Sequence, residues 1–240
     1  MGRLFWGLFV MVDAGFEPLM GDRVEALRQE IPPSVTVMAV TKTVPAVRMR
    51  MAYDAGLRHF GESRIQEALP KQEALADCSD IVWHFIGALQ SNKAQKAIAH
   101  FDWIHSVDSL KLAQRIDRIA GELQRTPNLC LQVKLLPDPN KSGWEVGDLK
   151  EALPALKTLA HVKMRGIMVI PPFGLPLPTL QGCFMDGAIL FKTLRDQAQG
   201  EWSQFDQLSM GMSGDYREAI AAGSTIVRLG RTIFGERETP

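Results

Sequence analysis

Tyrosine is scarce in this 240-residue chain: Tyr53 and Tyr216 are the only two. Chemistry that needs a phenolic acid or base has only these to draw on. Cysteine is equally sparse. Cys78, Cys130 and Cys183 are odd in number and far apart, which excludes CxxC zinc or redox spacing, argues against a disulfide framework and fits a reducing cytoplasm. Charge of one sign is not in excess. The 27 basic and 27 acidic residues cancel, so no global field favours nucleic acid or an anionic membrane. No His/Cys/Asp/Glu set has metal-ligand spacing.

Long apolar runs are missing too. The stretch Leu4 to Val12 is far shorter than the ~20 residues that span a bilayer, and no small-residue cleavage site follows it. Met20 stands directly before an amphipathic start, Gly21 to Leu27. Residues 1–20 are therefore read as an N-terminal extension with Met20 as an alternative start, and residues 21–240 as one domain.

Strand-like and helix-like runs then alternate. The expected strands are 35–41, 57–60, 81–86, 103–107, 129–135, 162–170, 205–210 and 225–229. Helices are expected at 46–55, 64–76, 92–100, 110–124, 148–159, 184–199 and 216–222, with 171–182 as a loop. Eight strands with intervening helices imply parallel pairing. A single (β/α)₈ barrel fits best, with a doubly wound open sheet as the alternative. No internal repeat or shift of composition marks a second domain.

One lysine stands out. The run Val35 to Thr41 is apolar and rich in β-branched residues, and it ends at Lys42 before Thr43-Val44-Pro45 stops the strand. Alternation puts Lys42 on the face of Thr36, Met38 and Val40. In a barrel that end is the active face. A lysine there either snorkels to solvent or serves as a Schiff-base amine. Two glycine-rich segments follow the seventh and eighth strands: Ser209-Met210-Gly211-Met212-Ser213-Gly214-Asp215, and Arg228-Leu229-Gly230-Arg231. Loops in those positions recur as phosphate sites. A lysine amine plus a phosphate cradle points to pyridoxal phosphate (PLP).

Specific motifs sharpen this. They are Ala39 to Pro45, Phe60-Gly61-Glu62-Ser63-Arg64-Ile65-Gln66-Glu67, Trp83 to Lys93, Lys141-Ser142-Gly143, Gly166-Ile167-Met168, Leu208 to Ser213, and Val227 to Gly230 with Ile233-Phe234-Gly235. On these segments, in order over nearly the whole chain after the extension, it resembles the pyridoxal phosphate homeostasis family, with its alanine-racemase-like, fold-type III barrel. The resemblance implies that Lys42 holds PLP as an internal aldimine. Ser213 with the backbone of Gly214, and the amides of Gly230 and Arg231, would bind the phosphate; Arg228 would face the pyridine nitrogen. Ser63, His84 and Met168 belong to the same implied cofactor site. His84 is either a hydrogen-bonded core residue or a cofactor-flanking one, and Met210 with Met212 is expected to fill the barrel end.

An arginine at the ring nitrogen disfavours the pyridinium and so weakens carbanion chemistry. The expectation is a cytoplasmic, monomeric PLP carrier in vitamin B6 homeostasis without robust catalysis and with no catalytic residue. Its partners would be PLP-dependent apoenzymes or a regulatory protein, and neither nucleic acid nor membrane. The alternatives are a PLP-dependent amino-acid racemase, for which Tyr216 is the candidate opposing base, and an interaction module tuned by bound cofactor. The chain departs from the family pattern at Ser63, Ala88, Trp144 and Arg231. Arg231, where a small hydroxyl is usual, either removes a phosphate hydrogen bond worth roughly 1.5–3 kcal/mol or places its own guanidinium on the phosphate.

Overall fold

The computed structural model describes residues 19–198 and 200–236. The apolar stretch near the start of the chain, and most of the proposed extension, lie outside these residues.

Eight parallel strands close into a barrel in chain order: β1 (Thr36–Val40), β2 (His59–Glu62), β3 (Val82–Phe85), β4 (Trp103–Val107), β5 (Asn128–Val133), β6 (Lys163–Val169), β7 (Gln207–Met212) and β8 (Ile226–Leu229). Closure is made by β8 against β1, where Ala39 registers with Leu229. The surrounding helices are α1 (Met20–Glu30), α2 (Ala46–Asp54), α3 (Ile65–Ala74), α4 (Ala94–His100), α5 (Leu110–Glu122), α6 (Val146–Leu156), α7 (Leu177–Gln197), α8 (Tyr216–Ala221) and α9 (Arg231–Phe234). The closed barrel decides against the open sheet.

The helices form as their sequences dictate. In α5, Ser109 Oγ accepts from the Leu112 amide, and Leu112, Ala113, Ile116, Ile119 and Ala120 make the buried stripe. Helix α7 corrects the sequence reading, which left 171–182 as a loop and began the helix at Phe184. It starts at Leu177 because Pro176 is its N-cap and Pro178 sits in the first turn, where a missing N–H costs nothing.

Most apolar burial lies between strands and helices, as in the cluster of Phe60, Met49, Leu27 and Val227 on the β1–β2–β8 side. Met210 belongs to this outer layer too, packed with α7 residues and not in the barrel end as expected. Strand alternation turns its neighbour Ser209 the other way, toward Arg228. The barrel interior holds Trp103, Cys130 and Met168, and above them a set of buried polar groups: His84, His105, Gln132, Ser209 and Arg228. A barrel filled with branched apolar side chains needs none of these.

Two glycines make the geometry possible. A Cβ on Gly166 would lie 1.6 Å from the Gln207 carbonyl oxygen, so β6 and β7 could not approach. Gly211 at the end of β7 has φ 92° and lies against Ala219 and Tyr216, where a Cβ would clash at 2.6 Å.

Candidate cofactor site at the barrel mouth

Lys42 follows β1 by two residues and is half-buried. The strand end is well defined: the Thr41 amide still pairs with the Gly61 carbonyl at 2.9 Å. Because β8 pairs with β1, the β8 loop arrives beside the lysine. A Cβ on Gly230 would touch Val40, the residue two before Lys42, at 3.6 Å. Because β7 pairs with β8, Met212 registers with Arg228 and brings Ser213 alongside.

Ser213 ties the two loops together. Its Oγ accepts from the Gly230 amide at 3.2 Å and from the Thr232 amide at 3.3 Å. Its own hydroxyl hydrogen remains to be donated. Asp215 Oδ1 accepts from the Met212 amide at 2.6 Å, which fixes the turn; burial pushes the Asp215 carboxyl upward. Gly214 is exposed with open space above it. The arrangement is a hydroxyl and backbone cradle, open at Gly214, with a donor set suited to a phosphate.

Arg228 is buried on β8. Nη1 donates to the Ser209 carbonyl oxygen and to Ser209 Oγ, both at 2.8 Å, and Nη2 donates to the Val169 carbonyl oxygen at 2.8 Å. All three acceptors are neutral. Burial lowers its pKa to about 10, with Asp215 and Cys130 opposing that shift, so it stays cationic at neutral pH. Ser209 is inside β7, as the expected strand 205–210 has it, and the strand runs two residues further, to Met212.

His84 is one link of a histidine ladder that sequence reading missed. His59 Nδ1 and His84 Nε2 are 2.9 Å apart, as are His84 Nδ1 and His105 Nε2. Registers His59–Val82 and His84–Trp103 place each histidine two residues further toward the mouth than the last. Burial drives His84 well below the usual range and His105 to about 3, with the Arg228 charge adding to the latter. His105 Nδ1 is buried with no hydrogen-bond partner. Met168 lies in the interior beside Cys130 and Trp103.

The remaining expected site residues are placed less centrally. Ser63 is half-buried after β2, its backbone packed against Gly87, where a Cβ would lie 2.1 Å from the Ser63 oxygen. Arg231 has an exposed guanidinium, 3.6 Å from Glu236, while the Thr232 amide beside it bonds Ser213. The bulky Trp144 is accommodated by burial, its indole N–H donating to the Val107 carbonyl at 2.9 Å.

Neither tyrosine faces the mouth. Tyr216 lies in the outer layer with its hydroxyl donating to Glu30 Oε1 at 2.8 Å, and burial followed by that bond pushes it up to about 12. Tyr53 bonds Asp80 and is covered by the Arg58 guanidinium. Among the described residues no cluster of His, Cys, Asp and Glu could hold a metal ion, and no helix is long and apolar enough to cross a membrane.

The model of the alanine racemase N-terminal domain family matches residues 20–238. The pyridoxal phosphate homeostasis protein of Synechocystis sp. is 53% identical over 207 residues, covering 86% of this chain and 94% of that protein. The Escherichia coli K12 protein of the same name is 38% identical over 210 residues, covering 86% of this chain and 88% of its own. The chain belongs to the pyridoxal phosphate homeostasis protein family. In structure it is similar to PipY of Synechococcus elongatus PCC7942 solved with PLP bound, at a TM-score of 0.86 and 51% identity, over 90% of this chain and 100% of that one. An alanine racemase of Clostridium difficile shares the fold at a TM-score of 0.72 and 13% identity, over 92% of this chain but 57% of that one.

Proposed function

We propose that this chain holds pyridoxal 5′-phosphate through Lys42 and takes part in its homeostasis, without robust catalysis of its own. The observation that carries the reading is the pairing of β7, β8 and β1, which sets the Ser213–Gly230–Thr232 cradle beside the strand that Lys42 follows by two residues. When bound, PLP supplies an aldehyde that condenses with a lysine amine, releasing water, and a ring that withdraws electrons.

The residues suit that group. Ser213, the Gly214 backbone and the amides of Gly230 and Thr232 would hold the phosphate, and Lys42 would be the covalent anchor. Arg228, fixed by three neutral oxygens, is the group for the ring-nitrogen side. Its buried positive charge opposes protonation there, which favours holding over carbanion chemistry. Met168 and His84 would line the interior below the ring, and Ser63 the rim. Relatives named for PLP homeostasis and a PLP-bound neighbour of similar sequence support the same reading. PLP-dependent apoenzymes are the proposed recipients of the held cofactor.

Titration of the purified, cofactor-free protein with PLP tests the proposal. A saturable yellow absorption band near one equivalent, lost in Lys42→Ala, is the expected result. An unchanged spectrum in the wild-type protein overturns it.

A further inference from the structure

Lys42 sits at the centre of a turn that its own sequence does not favour. The Val44 amide donates to the Thr41 carbonyl at 2.9 Å, closing a four-residue turn with Lys42 and Thr43 in the middle. Thr43 has φ 65°, the left-handed region, where a β-branched residue is an outlier. Such a conformation persists only when the surroundings hold it.

The surroundings that hold it come from α3. Lys71 Nζ donates to the Thr41 carbonyl at 2.8 Å and to Glu62 Oε1 at 2.7 Å. Thr41 Oγ1 donates to the same Glu62 oxygen at 2.7 Å. One turn earlier on the helix, Glu67 accepts from Arg64 Nη1 at 2.7 Å; that bond, and to the smallest extent the Thr43 amide that the carboxylate faces, hold the Glu67 carboxyl below its ordinary range. Residues 67 and 71 are four apart and share one helix face. That face therefore grips the peptide group before Lys42 through the Thr41 carbonyl and turns a carboxylate toward the one after it. Glu62 is fully buried, and its Oε2 has no hydrogen-bond partner. A buried carboxylate–ammonium pair with one oxygen unsatisfied is poor value for stability alone.

We propose that Glu62, Lys71 and Glu67 are positioning residues that clamp the strained Thr41–Val44 turn and thereby present the Lys42 amine at the barrel mouth. This inference rests on the reading of Lys42 as the cofactor anchor. None of the three need touch the cofactor. They act through Thr41 and Thr43.

The test measures the rate at which PLP is trapped on Lys42 by borohydride, read by peptide mass spectrometry. The variants are Glu62→Gln/Lys71→Met, which removes the buried pair without leaving a lone charge, and Glu67→Gln, at a half-buried position. At least tenfold slower trapping is expected in the first and roughly threefold in the second. Circular dichroism should stay native, and affinity for pyridoxine 5′-phosphate, which lacks the aldehyde, should stay within twofold. Adding Thr43→Gly, which relaxes the need for a clamp because glycine adopts φ 65° freely, should recover at least half of the lost rate. Folded variants that trap within twofold of wild type overturn the clamp, as does slow trapping that Thr43→Gly leaves unchanged. If the first variant does not fold, Glu67→Gln with and without Thr43→Gly decides. Absence of any Lys42 adduct in the wild-type protein would instead contradict the cofactor reading itself.

Discussion

Arg228 holds Ser209 by two hydrogen bonds at once, Nη1 donating at 2.8 Å to both the backbone oxygen and the hydroxyl. The second arm of the guanidinium reaches past β7 to the Val169 oxygen on β6. The cation thus spans three strands while keeping its charge for the barrel interior. Replacing it with methionine would strand buried acceptors on two strands. Arg228→Met is expected to lose roughly 2–4 kcal/mol of stability in urea unfolding. A change under ~0.5 kcal/mol would mean those contacts are dispensable.

Ser213 joins two loops through one oxygen. Removing it leaves the Gly230 and Thr232 amides without their acceptor and takes a donor from the cradle. Ser213→Ala is expected to weaken PLP binding about tenfold, or ~1.4 kcal/mol, in a spectral titration. Arg231→Ala, by contrast, should change affinity less than about twofold, since that guanidinium points to Glu236.

The histidine ladder sets an acid limit. His105 has a folded-state pKa of about 3 against an ordinary 6.5, so the unfolded chain binds more protons than the native one below neutrality. The stabilisation is complete above pH ~6.5 and is lost as pH falls from there toward 3. Urea midpoints are expected to drop steadily between pH 7 and pH 5. His105→Gln, which keeps a polar partner for His84 but cannot titrate, should flatten that slope.

Tyr216 separates holding from racemisation. Its phenol is committed to Glu30 in the outer layer. Tyr216→Phe is expected to cost about 1 kcal/mol of stability and to leave PLP binding unaltered. Chiral analysis of alanine incubated with wild type and variant should show no difference between them. Rapid wild-type turnover abolished by the substitution would favour the racemase.

Much of this was legible in the sequence because local signals coincide with position in the barrel. Lys42 ends a β-branched run, and the glycine and hydroxyl residues after β7 and β8 mark the cradle whatever the rest of the chain does. What was not legible depends on register or on long-range partners. His59, His84 and His105 meet only because adjacent strands are offset by two residues at each step. Lys71 carries no local signal in the sequence, yet it bonds the Thr41 carbonyl and the buried Glu62. The start of α7 was hidden by prolines at 176 and 178 that serve as its cap and first turn. Met210 turns outward because its neighbour Ser209 turns inward to Arg228, a long-range partner.

The most direct measurement is to incubate the protein with PLP, reduce with borohydride and map the modified peptide. The expected result is one phosphopyridoxyl group per chain, on Lys42, and none on that segment in Lys42→Ala. Stoichiometric labelling of another lysine with Lys42 unmodified would contradict the account.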